Sequence, residues 1–178
     1  DQVPRAFPHE DQQVLRDLAI MVEQEIAALQ LATLDELTLI SNRRGFINLA
    51  THTFSLCARY QFSVAILTFD LDGFKLINDR LGHAEGDRAL VAFANLLREV
   101  FRHSDVFARI GGDEFAVLLS KVDENSMIAT LARFDRAVRK YNRRSDRGYA
   151  LQYSVGYRIE WPGHDLDVEA LLNRADRL

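Results

Sequence analysis

Apolar positions change their period several times along the chain, and each change marks an element. Leu15, Leu18, Val22, Leu29 and Ala32 recur at spacings of 3, 4, 7 and 3, a heptad-like stripe interrupted by Glu25. Pro4 and Pro8 precede the stripe, and His9, Glu10 and Asp11 follow, so a helix is expected to start after Pro8 with acids in its first turn. Such a helix either packs on the core of its own domain or pairs with a second copy in a dimer and carries a signal; the pattern fits both. A second helical pattern runs through Phe46, Leu49, Phe54, Leu56 and Ala58. The run Phe62–Phe69 is short, apolar and rich in β-branched residues, as in a buried strand, and it ends in Asp70-Leu71-Asp72-Gly73. Leu90, Val91, Phe93, Ala94 and Leu97 give the buried face of a helix over Gly86–Val100. Val106–Ile110 and Phe115–Leu119 read as strands flanking a tight hairpin at Gly111-Gly112-Asp113-Glu114. A helix over Glu124–Tyr141, a polar loop over 143–148, a strand over Ala150–Ile159 and a last helix from Leu166 to Leu178 complete the pattern.

Composition adds one boundary. A chain of 178 residues has room for one core with roughly thirty residues over. Its 48% apolar and 27% charged content excludes a disordered chain or a disulfide scaffold. The net charge is −4, and it is localised. Two of the 22 bases (Arg5, Arg16) and six of the 26 acids (Asp1, Glu10, Asp11, Asp17, Glu23, Glu25) lie in residues 1–33, leaving residues 34–178 neutral. A broad basic surface for nucleic acid is therefore not expected. The single cysteine, Cys57, points to a reducing compartment. No stretch of 18 apolar residues occurs and no signal-peptide pattern opens the chain, so a cytoplasmic protein without a membrane segment is expected. The start at Asp1, without Met, suggests a fragment.

The candidate chemistry is acidic. If strands 62–69 and 115–119 are neighbours, Asp70, Asp72, Asp113 and Glu114 converge at one edge of a sheet. Carboxylates so close repel, and a divalent cation resolves the repulsion; oxygen donors suit Mg²⁺ or Mn²⁺ rather than zinc. Taken singly, each turn is equally well explained by Asp and Gly as ordinary turn formers. Gly73, Phe74 and Lys75 follow the first acidic pair and offer backbone N–H groups and an ammonium to a triphosphate. Asn78 and Asp87 supply an amide and a carboxylate that match guanine, Asp accepting from its N1–H and N2–H₂ groups. The plainer alternatives are a turn residue for Asn78 and a helix N-cap for Asp87. Five of the nine glycines fall between 73 and 112, where these residues lie. The histidines show no zinc spacing. Trp161 and Pro162 suggest an exposed turn without an assigned role.

Gly111-Gly112-Asp113-Glu114-Phe115 resembles the signature of the GGDEF family of diguanylate cyclases, a pentapeptide expected by chance in about one chain of this size in 10⁴. Asp35-Glu-Leu-Thr38, Asn42-Arg43-Arg44, Phe69-Asp-Leu-Asp-Gly-Phe-Lys75, Asn78-Asp79, Leu81-Gly82-His83, Gly86-Asp87, Ala108-Arg109-Ile110 and Ser154-Val-Gly156 also resemble the family pattern, in order, over residues 34–178. Leu39 departs from it, since the family usually has Gly there.

The resemblance implies an α/β (α+β) fold with a mainly antiparallel central sheet flanked by helices, like adenylyl cyclases and polymerase palms, preceded by an N-terminal signalling helix. It implies an enzyme that condenses two GTP into cyclic di-GMP with release of two pyrophosphates. Two Mg²⁺ (or Mn²⁺) ions per site would be held by the carboxylates of Asp70 and Asp113 and the carbonyl of Leu71. Asp113, Glu114 and Lys75 would be the catalytic residues, Glu114 serving metal binding or catalysis, with Asp72 a weaker ligand. Gly73, Phe74 and Lys75 would hold phosphates, Gly111 and Gly112 would border the substrate, and Asn78 and Asp87 would read guanine. A domain holding one GTP implies a homodimer, which favours the dimeric reading of helix 10–33. Arg102-His-Ser-Asp105 resembles the family's R-x-x-D product-inhibition site; a salt-bridged loop is the plain alternative. Pro4-Arg-Ala-Phe7 and residues 11–23 resemble the end of a GAF sensor domain, so residues 1–33 are expected to be the tail of a sensor plus a linker helix. Residues 34–178 are expected to be the cyclase domain, which the family extends past Leu178. The rival function is a non-catalytic module binding GTP or cyclic di-GMP; a polymerase-like palm is disfavoured by the neutral charge of residues 34–178.

Overall fold

The computed structural model describes residues 9–144, 146–161 and 168–175. The chain forms two units, residues 1–32 and 33–178. The described residues of the first form helix α1 (His9–Thr33), whose last residue belongs to the second. Leu15, Leu18 and Val22 of the expected stripe are about half exposed, as are Val14, Ile20, Met21 and Ile26. Residues 4–7, which carry part of the sensor resemblance, lie outside the described residues.

The second unit is built on a four-stranded sheet of β1 (Val64–Leu71), β2 (Val106–Arg109), β3 (Glu114–Ser120) and β4 (Tyr153–Glu160). Their spatial order is β2-β3-β1-β4, and every neighbouring pair is antiparallel. β1 is central and covered on both faces, which is why its sequence is almost continuously apolar. Ala65, Leu67, Phe69 and Leu71 face α4 (His83–Val100) and α5 (Glu124–Arg144), where Phe93, Phe134 and Met127 are fully buried. Val64 and Ile66 face α2 (Arg43–Tyr60) and α6 (Val168–Ala175), through Phe46, Phe54, Leu171 and Leu172. This is the α+β architecture expected from the resemblance.

Local signals fix the helix ends. Asn42 caps α2 by accepting from the Gly45 N–H (2.9 Å). Asp123 and Ser126 bond reciprocally across the start of α5: Asp123 accepts from the Ser126 N–H (2.8 Å) and Ser126 from the Asp123 N–H (2.9 Å). Gly82, at φ +86°, ends α3 (Phe74–Leu81) and begins α4, a conformation that an L side chain rarely adopts.

Two differences from the sequence reading bear on the site. β1 does not stop at Phe69 but continues through Leu71, so Asp70 is a strand residue. It is the one exposed position of that strand, and an outward-facing acid ended the apolar signal before the ladder ended. Residues 74–81 form helix α3, and α4 begins at His83 rather than Gly86. Asn78 is therefore mid-helix rather than in a turn, and Asp87 lies in the second turn of α4 rather than at its N-cap, which is Gly82. α3 is too short to show a period; it buries Ile77 and packs Phe74 on the core. β4 is shifted to Tyr153–Glu160. Trp161 is 69% exposed, while Pro162 and the expected start of the last helix at Leu166 fall outside the described residues.

Candidate active site

The ladder brings the two acidic segments together. Asp70 on β1 is the direct partner of Glu114 on β3, and Phe69 is the partner of Phe115 one step inside. Phe69 and Phe115 are both fully buried, and both pack on Phe93, at ring-centroid distances of 5.9 and 4.8 Å. The strand ends carrying the acids are thus anchored in the aromatic core. Beyond the ladder, the Leu71 N–H donates to the Asp113 carbonyl (3.2 Å), so Asp113 lies beside the end of β1. Within the hairpin, the N–H groups of Ile110 and Gly111 donate to the Glu114 carbonyl (2.9 and 3.3 Å). The Glu114 carboxylate lies over Gly111, where a Cβ would overlap it.

Arg109 and Asp35 hold this hairpin from outside, a role the sequence reading did not assign to them. Arg109 donates from Nε (3.0 Å) and Nη2 (2.8 Å) to the Gly112 carbonyl. Its Nη1 pairs with Asp35 Oδ2 at 3.2 Å. Asp35 also accepts from the Thr38 N–H (2.8 Å) and hydroxyl (2.5 Å). Burial raises the Asp35 carboxyl, but the two Thr38 bonds and Arg109 outweigh it and hold the group below the usual carboxylate range. The signal was present as the motif pieces Asp35–Thr38 and Arg109; only the fold shows that the two pieces meet.

Asp72 is bonded to the neighbouring strand. Its N–H donates to the Gln152 carbonyl (3.0 Å), and its Oδ1 accepts from the Ser154 hydroxyl (2.8 Å). Ser154 is in turn the β4 partner of Asp70. Asp72 thus fastens the end of β1 to β4. Gly73 follows at φ +70° and leads into α3, whose first turn leaves the N–H groups of Gly73, Phe74 and Lys75 without intrahelical partners. Lys75 is exposed.

Gly86 lets α4 approach Asn78 of α3, and Asp87 is the next residue along α4. Gly86 is buried, and a Cβ there would overlap the Asn78 carboxamide. The next residue, Asp87, is exposed and borders a cavity of about 470 Å³, also lined by Leu37, Val91, Leu96, Tyr141 and Arg147. That cavity is lined by Asp87 but not by Asn78, Asp70 or Asp113.

Arg102 and Asp105 are not part of this constellation. They form the turn before β2, whose far end leads into the hairpin, about 13 Å away along the strand. Asp105 accepts from the Arg102 N–H (2.8 Å), and the Asp105 N–H donates to the Arg102 carbonyl (3.0 Å). The closure is therefore a backbone-capped turn. Burial pushes the Asp105 carboxyl up, against the Arg102 N–H and the charges of Arg102 and Arg133.

The donor set at the hairpin is all oxygen. Among the described residues no group of three or more His, Cys, Asp or Glu side chains is arranged to hold a metal ion by itself. Acids at directly opposite ladder positions, with a neighbouring aspartate and a backbone carbonyl, instead suit a hard cation that completes its shell with phosphate oxygens. Like charges placed directly opposite on a ladder repel, and a cation between them removes that cost.

Comparison with known proteins points to one family, although its relatives also include the cyclic di-GMP phosphodiesterase NbdA of Pseudomonas aeruginosa, 33% identical over 146 residues and covering 82% of this chain and 18% of NbdA. The family model described as "Diguanylate cyclase, GGDEF domain" matches residues 32–178. The chain is 36% identical over 126 residues to the probable diguanylate cyclase DgcC of Escherichia coli (strain K12), covering 71% of this chain and 34% of DgcC. It is 37% identical over 143 residues to the diguanylate cyclase TpbB of Pseudomonas aeruginosa (strain UCBPP-PA14), covering 80% of this chain and 33% of TpbB. The chain thus spans about a third of the length of these curated relatives. Among solved structures, the GGDEF domain of Pseudomonas aeruginosa TpbB superimposes with a TM-score of 0.69 at 32% identity, covering 80% of this chain and 84% of that one. The coiled coil and GGDEF domain of Caulobacter crescentus DgcB, solved in complex with c-di-GMP, gives a TM-score of 0.76 at 24% identity, covering 93% of this chain and 90% of that one, and so speaks to the fold.

Proposed function

The chain belongs to the GGDEF diguanylate cyclase family, and from that membership we propose that it condenses two GTP into cyclic di-GMP, releasing two pyrophosphates. The observation that carries this reading is the pairing of Asp70 with Glu114 beside Asp113, at the edge of a sheet whose next segment is an open helix N-terminus. Asp70, Asp113 and the Leu71 carbonyl would hold Mg²⁺ or Mn²⁺, two per site, with Glu114 serving metal binding or catalysis. Such ions, when bound, lower the pKa of the attacking 3′-OH and stabilise charge on the α-phosphate and leaving group. The chain's own contribution is placement. The N–H groups of Gly73 and Phe74, with Lys75, bind the triphosphate, and Gly111 and Gly112 let it approach the hairpin backbone. Asn78 and Asp87 hold guanine, with Asp87 accepting from N1–H and N2–H₂. Arg109 and Asp35 fix the hairpin, so that the acids face the substrate without reorganising during the reaction.

One domain binds one GTP, so the second comes from another copy. The exposed apolar residues of α1 support pairing of two chains through that helix. In the longer protein, α1 would connect a GAF-like sensor to the cyclase domain. Arg102 and Asp105 would bind cyclic di-GMP as an inhibitor, the exposed guanidinium stacking on or holding guanine. No described helix is long and apolar enough to cross a membrane. GTP as substrate places the reaction in the cytoplasm.

The deciding experiment incubates the protein with GTP and Mg²⁺ and looks for cyclic di-GMP. Product from the parent, with none from Asp70→Asn, supports the enzyme; bound GTP without product from a verified dimer favours a binding module. For the inhibitory site, Arg102→Ala should lose cyclic di-GMP binding measured by calorimetry, and undiminished binding removes that part of the reading.

A further inference from the structure

Three consecutive residues near the start of α4 have three different tasks. Gly86 receives the Asn78 carboxamide, and Asp87 stands beside the cavity. Glu85, just before them, is clamped from two directions: it accepts from Arg88 Nη1 (2.5 Å) and from Arg147 Nη1 (2.8 Å). These two arginines draw the Glu85 carboxyl below its usual range. Arg147 lies in the loop between α5 and β4, and it lines the same cavity as Asp87.

The clamp compensates for something this helix end lacks. The N-cap of α4 is Gly82, which has no side chain to bond the first turn. An uncapped first turn frays, and here the turn behind it carries Asp87. Holding the loop itself does not require Arg147. Asn142 already closes its base, donating to the Leu151 carbonyl (2.8 Å) and accepting from the Leu151 N–H (2.8 Å). An ion pair whose arginine is 41% exposed also contributes little to global stability. Its effect is therefore on the position of the α4 terminus.

Building on the proposed function, we propose that Arg147 is a positioning residue for guanine recognition: through Glu85 it fixes the first turn of α4, and with it the Asn78–Asp87 pair. Glu85 is the relay. A displacement of Asp87 weakens above all the bonds to N1–H and the 2-amino group, so selectivity for guanine is the sensitive readout.

The test measures binding of 3′-deoxy-GTP and 3′-deoxy-ITP with Mg²⁺ by calorimetry. Both lack the attacking hydroxyl and are not turned over, and the inosine nucleotide lacks the 2-amino group. Arg147→Ala should raise the Kd for 3′-deoxy-GTP about tenfold, the scale of one charge-assisted hydrogen bond. The Kd for 3′-deoxy-ITP, which keeps N1–H but has no 2-amino bond to lose, should rise less, so discrimination between the two shrinks. Arg147→Lys should restore most of the affinity, and Glu85→Gln combined with Arg147→Ala should be no worse than Arg147→Ala alone. A loss shared equally by both nucleotides, or effects of the two substitutions that multiply, overturns the inference. A parent protein that binds no guanine nucleotide overturns the proposed function and this inference with it; undiminished binding in the variants overturns the inference alone.

Discussion

Asp70 and Glu114 are direct partners across the β1–β3 ladder, so two carboxylates leave the same face of the sheet at the same level. If a cation relieves their repulsion, binding should stabilise the fold. At a concentration one hundred times its Kd the gain is about 2.7 kcal/mol, or roughly 5–10 °C in Tm for a domain of this size. Scanning calorimetry with and without Mg²⁺ should show that rise for the parent and little for Asp70→Asn, which should also lose cyclic di-GMP formation by about 10³-fold or more. Equal shifts in both proteins would place the metal elsewhere.

A second expectation concerns acid stability. Asp35 is held below its usual range in the folded chain by Thr38 and Arg109, against the effect of burial. A carboxyl whose folded pKa is depressed stabilises the fold fully above its unfolded pKa, near 3.8, and that stabilisation fades as pH falls through the lower folded value. Asp35→Asn should therefore destabilise the fold at pH 7 by about 1–3 kcal/mol, the loss of charge-assisted bonding, and so lower its Tm. The difference from the parent should close below pH 4. A gap that stays constant from pH 7 to pH 3 would mean that the loss is one of shape rather than charge.

Much of this architecture was legible because period and burial agree. β1 is central, so its apolar run is nearly unbroken, and the helices that cover it carry their buried residues at helical spacing. The boundaries that were misplaced lie where function intrudes on pattern. Asp70 continues a strand but is exposed, and α3 sits between two positive-φ glycines, too short to show a period. The acids of the site were visible as motifs. The Arg109–Asp35 support and the Glu85–Arg147 clamp were not, because each joins residues far apart in sequence, 74 and 62 positions respectively. Spacing along a chain carries no record of such pairs.

Leu39, the one noted departure from the family pattern, has φ +56° and is 66% exposed. The turn needs this conformation, since the Leu39 N–H donates to the Asp35 carbonyl (2.8 Å) while the Asp35 N–H donates to the Ile40 carbonyl (2.8 Å). The left-handed region costs an L residue about 1–2 kcal/mol. Glycine removes that strain but adds about 0.5–1 kcal/mol of chain entropy to be lost on folding. Leu39→Gly should therefore stabilise by about 0.5–1 kcal/mol, raising Tm by roughly 1–4 °C. Thermal melts check this, and a lower Tm would show that the exposed leucine contributes packing that outweighs its strain.

Gly86 separates stability from recognition. It lies in the first two turns of α4, where alanine is favoured over glycine by about 1 kcal/mol. The added Cβ, however, would overlap the Asn78 carboxamide, which has to rotate away. Because the obstacle is a side chain rather than backbone, the fold can accommodate it; an amide aimed at guanine cannot keep its direction. Gly86→Ala should leave Tm within about 3 °C of the parent while weakening GTP binding by about tenfold, the loss of one good hydrogen bond. Adding Asn78→Ala to Gly86→Ala should cost no further affinity, since the amide is already displaced. If Gly86→Ala binds GTP like the parent, the Asn78 amide does not contact the base, and recognition rests on Asp87 and the cavity beside it.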